Sequence, residues 1–237
     1  MRTDCNSDVT VIIAALNEKR GIGPTLRELR EVLEEPFCLV VDGNSHDGTG
    51  EIAKELGAES VVQEGKGKGQ AVAQALRHVN TSTRYVVFTD ADYTYPATYV
   101  PKMIEVLEGN PDVGMVTGNR FNENFDLEVM DNTHSIGNRF LAFMQYLLNG
   151  VKLRDPLSGL RVVRWEILKG WNPKSKSFDV EVELNHFVEK KGFQVKEIPI
   201  HYRQRLGEKK LKVRHGVTIL KRIFLESFSS FRINETD

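Results

Sequence analysis

The residues best suited to chemistry are two carboxylates one position apart, Asp90 and Asp92, with only the small Ala91 between them. They follow Tyr85, Val86, Val87 and Phe88, four β-prone residues that predict a short buried strand, and they precede Tyr93 to Pro96, where the chain turns toward a helix. Carboxylates at a strand end can share one hard divalent cation and leave its far side open to a diphosphate. Asp-x-Asp is short, and taken alone it reads equally as two solvated turn residues. Its neighbours decide the matter. Asn17-Glu18 and Asp42 also end apolar runs, and the cations Arg120, Arg203, Arg205 and Lys210 stand further along.

These side chains need elements to bring them together. Residues 9–16 and 37–41 are continuous apolar runs, the pattern of strands covered on both faces and hence of a parallel sheet. A helix with Leu26, Leu29 and Leu33 on one face follows the first run; the turn-rich octet 42–49 and a helix through Leu56 follow the second. A short strand at 60–63, a helix carrying Val72, Ala75, Leu76 and Val79, the aspartate strand, a helix over 97–107 and a strand over 113–117 continue the alternation. Strand and helix in turn predict a mostly parallel α/β sheet with helices on both faces. Ligands of such sheets sit at the carboxyl ends of the strands, where Asn17-Glu18, Asp42 and Asp90/Asp92 converge.

Beyond Asn119-Arg120 the alternation loosens: a polar loop over 121–133, an apolar helix over 136–148, a turn and strand over 155–164, a helix over 178–190 and a strand over 193–200. The basic stretch 201–210 leads to a last helix, 213–231, with Val217, Leu220, Phe224 and Phe228 beside Lys221 and Arg222. That stripe fits a helix lying in a membrane interface, and equally one packed on protein.

Composition sets the outer bounds. With 237 residues, 40% hydrophobic and 27% charged, the chain has the material of a soluble globular protein with a sizeable core. A formal net charge of −1 gives no pull toward nucleic acid, which is not an expected partner. Cys5 and Cys38 have no metal-ligand spacing and predict plain thiols of a reducing compartment. Neither an apolar signal region at the amino terminus nor a run long enough to span a bilayer is present, so a cytoplasmic location is expected.

The ordered set of marks, Leu16-Asn17-Glu18, Asp42-Gly43-Asn44-Ser45-His46-Asp47-Gly48-Thr49, Gly67-Lys68-Gly69, Asp90-Ala91-Asp92, Asn119-Arg120, Asp155-Pro156-Leu157-Ser158-Gly159 and Gly207-Glu208-Lys209-Lys210, resembles family-two glycosyltransferases of GT-A fold. Within them it resembles the dolichyl (polyprenyl) phosphate mannose synthase branch, over residues 9–212. The resemblance implies one GT-A catalytic domain: a nucleotide-sugar half over 9–119, an acceptor half over 120–212 and the amphipathic helix beyond. It implies that Ala14, Leu16 and Glu18 line the base and ribose, with Val40 and Asp42 opposite, and that Lys68 and Ala91 border the donor. Asp90 and Asp92 would hold the donor and a Mg²⁺ or Mn²⁺ ion. Arg120 would lie beside the phosphates, and Arg203, Arg205 and Lys210 would bind the donor diphosphate or the acceptor phosphate. The implied partners are a nucleotide sugar and dolichyl or polyprenyl phosphate, met at the cytosolic face of a membrane or on a membrane-anchored subunit. Three positions depart from the pattern: Ala14 replaces a proline, Thr94 a metal-binding glutamine, and Lys209 a serine.

A lipid phosphate is already anionic near neutral pH and needs positive charge rather than a general base. A neutral hydroxyl would need a carboxylate base, and Asp155 is the candidate. Plainer roles stand beside these. Glu18 and Asp42 could cap the helices that follow, Asp155 could be a turn former before Pro156, and Arg161 and Arg164 could be surface cations. The Gly67-Lys68-Gly69 loop could cradle a phosphate, yet it matches neither the Walker pattern nor a dinucleotide fingerprint. Competing functions are transfer to a soluble hydroxyl acceptor and a nucleotide-sugar-binding subunit without turnover. A sugar nucleotidyltransferase would want a glycine-rich loop where Asn17-Glu18-Lys19-Arg20 stands.

Overall fold

The structure, a computed structural model, describes residues 8–121, 132–208, 210 and 215–231. Most of the predicted loop over 121–133 lies outside these residues, as do Lys209 and the first two residues of the predicted last helix. In chain order the elements are β1 (Val9–Ala15), α1 (Lys19–Val32), β2 (Phe37–Asp42), α2 (Thr49–Glu55), β3 (Glu59–Val62), α3 (Lys68–Leu76) and β4 (Tyr85–Asp90). A 3₁₀ turn, Ala97–Tyr99, leads into α4 (Val100–Glu108) and β5 (Val113–Asn119). Then come α5 (Asn132–Asn149), β6 (Arg161–Arg164), α6 (Trp165–Leu168), α7 (Val180–Lys190), β7 (Gln194–Pro199) and α8 (His215–Phe231).

The seven strands form one sheet in the order β3-β2-β1-β4-β6-β5-β7. Pairing is parallel except at β6, which runs antiparallel to both β4 and β5. That insertion separates β5 from β4, a position that alternation along the chain does not reveal. Successive residues of one strand point to opposite faces, and here both faces are covered. Val11 and Ile13 of β1 pack with Leu26, Leu29, Val87 and Met103, whereas Ile12 packs with Leu39, Val72, Phe88 and Leu184. Two covered faces account for the unbroken apolar runs. A third, smaller cluster joins α5, α7 and α8 through Leu141, Val182, Ile219 and Ile223.

One histidine ties this core to pH. His186 on α7 is 4% exposed, and burial, with Lys190 nearby, holds its pKa down at about 4. It is therefore neutral in the fold and takes up a proton more readily when unfolded. Stability from this group is complete above the ordinary histidine range and is lost as pH falls from about 6.5 to about 4, by roughly 3 kcal/mol. Urea unfolding across that window should show the loss, and His186→Gln should flatten it.

Candidate active site

Asp90 is the last residue of β4, and the chain leaves the sheet through Ala91, Asp92 and a left-handed Tyr93 at φ 67°. Helix α1 crosses this turn so closely that a Cβ on Gly21 would lie 2.4 Å from the Ala91 carbonyl oxygen and 2.6 Å from the Asp92 Cα. Only glycine admits that approach, which seats the carboxylate pair against the start of α1. Asp92 is 1% exposed; its Oδ1 accepts hydrogen bonds from the Thr94 backbone N–H (3.0 Å) and hydroxyl (2.5 Å). Its Oδ2 has no hydrogen-bond partner and forms an ion pair with Arg205. Burial, reinforced by the neighbouring Asp90 charge, pushes the Asp92 carboxyl above the usual carboxylate range.

Asp90 has the opposite balance. Burial opposes its charge, but Lys68 at 2.7 Å holds the carboxyl below its ordinary range. Lys68 also reaches Oε1 of Glu181 at 2.8 Å, so one ammonium joins two carboxylates and is held firmly protonated by them against the effect of burial. The loop before α3 is built for this joint. A Cβ on Gly69 would meet the Ser175 carbonyl oxygen at 2.1 Å, so its glycines let this loop lie directly on the segment leading to α7. The other Glu181 oxygen, Oε2, is buried without a hydrogen-bond partner. Glu181 lines the same cleft as Asp90 and Asp92.

The stretch after β7 folds back over these groups. The Arg203 backbone N–H donates to the Thr94 carbonyl and that of Leu206 to the Asp92 carbonyl. Arg203 is committed to Glu28 of α1 through two 2.7 Å hydrogen bonds and lies over the Tyr93 ring. Arg205 instead turns inward, to Asp92 and to Glu18 Oε1 (3.2 Å), which Lys210 also reaches at 3.1 Å. Burial raises the Glu18 carboxyl despite the two cations. Glu18 begins α1 without capping it through its side chain, and the capping role falls to Asp47, which accepts from the backbone N–H groups of Lys19 and Thr49.

A second buried cation stands deeper. Arg120 forms a bidentate pair with Asp155 (2.7 and 2.8 Å), and its backbone N–H donates to the same carboxylate. Asp155 is fully buried, and its own N–H is held at 2.7 Å by Glu197. Its oxygens are thus engaged with Arg120 and lie off the cleft surface. Arg161, read as an ordinary surface cation, is 2% exposed: its guanidinium holds the Pro156 and Ser158 carbonyls and Asn185 Oδ1, pinning the turn that carries Asp155. Arg164 donates to the backbone carbonyls of Leu107 and Val113.

One cleft of about 1040 Å³ at the carboxyl edge of the sheet gathers Ala14, Leu16, Glu18, Lys68, Asp90, Ala91 and Asp92. Arg120, Arg203, Arg205 and Lys210 line it as well. Two expected residues are withdrawn from its lining. The Val40 side chain lies wholly in the core, and the Asp42 carboxylate accepts from Ser45, leaving Gly43 at the surface of the cleft. Reading the sequence missed Glu181, because a carboxylate inside an amphipathic helix reads as a solvated face. The signal available was the second acidic residue beside it, Glu183, also buried.

A mostly parallel sheet with a carboxylate pair at the end of a central strand, opening on a cleft of this size, is the architecture of a GT-A glycosyltransferase. Glucosyl-3-phosphoglycerate synthase from Mycobacterium tuberculosis, crystallised with UDP, superposes with a TM-score of 0.74 over 92% of this chain and 79% of that one, at 19% identity. The same protein crystallised with Mn²⁺, UDP and glucosyl-3-phosphoglycerate superposes at 0.69, with 21% identity over 93% of this chain and 78% of that one. Residues 10–171 match the model of glycosyl transferase family 2, and the chain belongs to that family of glycosyltransferases. It is 32% identical over 206 residues, 86% of each chain, to the dolichyl-phosphate hexose transferase of Haloferax volcanii. It is 26% identical to the dolichol-phosphate mannosyltransferase of Pyrococcus furiosus, over 91% of this chain but only 62% of that protein's length.

The Arg120–Asp155 pair makes one expectation specific. Asp155→Asn strands a buried guanidinium, and breaking such a pair costs about 3 kcal/mol or more. Chemical denaturation should register that loss. An unchanged midpoint with lost activity would instead mark Asp155 as a base acting on an acceptor.

Proposed function

We propose that the chain transfers one hexose from a nucleoside-diphosphate sugar to a polyprenyl (dolichyl) phosphate, with inversion at the anomeric carbon. The observation that carries this reading is the division of one cleft into a carboxylate pair at the end of β4 and cations held around it by separate elements. Arg120 is positioned by Asp155, and Arg205 and Lys210 come from the segment after β7. The names of the two relatives, a dolichyl-phosphate hexose transferase and a dolichol-phosphate mannosyltransferase, support the acceptor.

A divalent cation fits these residues. Asp90 and Asp92 offer hard carboxylate oxygens, and the second oxygen of Asp92 is held by Arg205, whose charge stands where a cation would. Among the described residues no group of three or more His, Cys, Asp and Glu could hold a metal, so its remaining ligands would come from the donor and water. The ion, Mg²⁺ or Mn²⁺, would act as Lewis acid on the leaving diphosphate. The glucosyl-3-phosphoglycerate synthase crystallised with Mn²⁺ and UDP supports that choice. Thr94 spends its hydroxyl on Asp92 and so orients the carboxylate in place of a further ligand.

The chain's own groups divide the remaining work. Ala14, Leu16 and Glu18 border the base and ribose, with the β2–α2 turn opposite. Arg205, which neutralises Asp92 in the free protein, is the arginine free to move onto the diphosphate, since Arg203 is held by Glu28. Arg120 and Lys210 offer positive charge to the incoming phosphate, whose second ionisation lies near pH 6, so no proton need be removed from it. Glu181 stands beside the carboxylate pair and lines the cleft, suited to accept a hydrogen bond from a hydroxyl of the hexose. A soluble hydroxyl acceptor would need a base, and the buried, fully engaged Asp155 does not favour that alternative.

GDP-mannose, UDP-glucose and UDP-N-acetylglucosamine, each supplied with Mn²⁺, polyprenyl phosphate and detergent, should distinguish the donor by formation of a lipid-linked sugar. Asp92→Asn should lower the rate at least about a hundredfold, as chelation of the metal should, whereas Lys210→Ala should weaken transfer about tenfold. Full activity in Asp92→Asn would overturn the assignment. Glu181→Ala should weaken binding of the accepted nucleotide sugar about tenfold while leaving its nucleoside diphosphate unaffected, by calorimetry.

A further inference from the structure

Four parallel strands end along one edge of the sheet in the order β3-β2-β1-β4. The residues just past the first three ends are Gln63, Gly43 and Leu16, and all of them line the cleft into which β4 delivers Asp90 and Asp92. Neighbouring strands lie about 4.8 Å apart, so Gln63 stands roughly 14 Å along this edge from the carboxylates, the reach of an extended nucleoside diphosphate. On the proposed reading, a diphosphate held at the aspartates therefore places its base over Leu16, Gly43 and Gln63. Leu16 is 44% exposed there and offers an apolar surface to the flat of a ring. A Cβ on Gly43 would lie 3.3 Å from Leu16 Cδ1 and 3.4 Å from Gln63 Oε1. The two side chains thus converge over a residue that has none, one wall apolar and the other an amide oxygen.

That oxygen is held in place from several sides. The Gln63 backbone N–H donates to the Asp42 carbonyl at 2.7 Å. The buried Gln74 clasps the residues on either side, donating to the Val62 carbonyl at 3.0 Å and accepting from the Glu64 N–H at 2.7 Å. The Gln63 carboxamide itself donates from Nε2 to the Gly67 carbonyl at 2.8 Å. A carbonyl only accepts, so this bond fixes which end of the amide is nitrogen and leaves Oε1 on the Gly43 side. The neighbouring carboxylate is turned away: Asp42 Oδ1 accepts from Ser45, and Oδ2 lies 2.8 Å from where a Cβ on Gly50 would stand. Uracil and guanine carry a ring N–H beside a carbonyl, whereas cytosine and adenine carry a bare ring nitrogen beside an amino group. A fixed amide oxygen accepts from the first kind of ring and opposes a lone pair in the second.

We propose that Gln63 is the base-reading residue of this cleft, its Oε1 accepting from the ring N–H of a uracil or guanine and excluding cytosine and adenine. The assignment rests on the nucleotide-sugar reading and deepens it by naming what selects the nucleoside. Calorimetry of the full chain with Mn²⁺ and, in turn, UDP, CDP, inosine diphosphate and ADP tests it without acceptor or turnover. Each pair keeps one ring size and differs only at the edge in question, hypoxanthine standing for guanine. In the pair whose ring fits, the N–H base should bind about thirtyfold or more tighter than its partner. Gln63→Leu, and Gln63→Met as a second variant should the first fail to fold, should bring that ratio within about threefold. A residue that merely holds the loop at Gly67 would weaken both members of the pair alike, so an unchanged ratio in the variants overturns the proposal. Equal binding of both members of each pair by the parent chain overturns it as well, and leaves the nucleotide-sugar reading standing. Failure to bind any of the four diphosphates would sink both.

Discussion

The site depends on keeping two negative charges together under low solvent exposure at the end of β4. Carboxylates one residue apart repel each other, and burial strengthens the repulsion. The fold answers each separately. Lys68, from the start of α3, neutralises Asp90 and shares its charge with Glu181. Arg205, from the far end of the chain, neutralises Asp92, whose other oxygen is held by Thr94. The difference matters chemically. The Lys68 joint is enclosed by three elements, while Arg205 sits on the segment after β7, held to the Asp92 turn by two backbone hydrogen bonds and to Glu28 and Glu18 by side-chain pairs. One carboxylate is permanently compensated, and the other is compensated by a group that a diphosphate could draw away.

Residue types carried the fold of residues 9–119 well. Continuous apolarity at 9–16 and 37–41 meant strands covered on both faces, and the two core clusters are the result. The polar residues that close each apolar run marked where strands end, and so where Asp90, Asp92 and Glu18 emerge. Residues 120–212 were harder because their signals are tertiary. Arg161 looks like any cation in a short strand; only the burial of the 155–159 turn beneath it reveals a guanidinium holding backbone carbonyls. Nothing local announces that β6 runs between β4 and β5. A turn and then a strand within 155–164 were visible; the strand's partners were not.

The same limit applied within the site. Charge type and position along the chain marked Arg203 and Arg205 equally. Glu28, a residue of α1 with no motif around it, separates them by pairing with one guanidinium through two hydrogen bonds. Glu181 was invisible for the converse reason: its significance comes from Lys68, more than a hundred positions earlier. For helix α5 the sequence left core packing and lipid contact both open, because an apolar helix has no sign saying which of its faces finds a partner. Its neighbour α8 covers one side and leaves the other to solvent.

The antiparallel β6 has a consequence for engineering. Strands from the later half of the chain do not hang from the edge of the sheet built by residues 9–119; β6 is stitched between β4 and β5, and β7 closes the sheet beyond. Hydrogen bonds from β6 run directly to Tyr85 through Phe88, the strand that delivers the carboxylates. A chimaera that grafts another enzyme's later segment onto residues 9–119 would therefore replace the scaffold beneath its own carboxylate pair. The two stretches of this architecture are not interchangeable cassettes, and swapping should be attempted by loops rather than by halves.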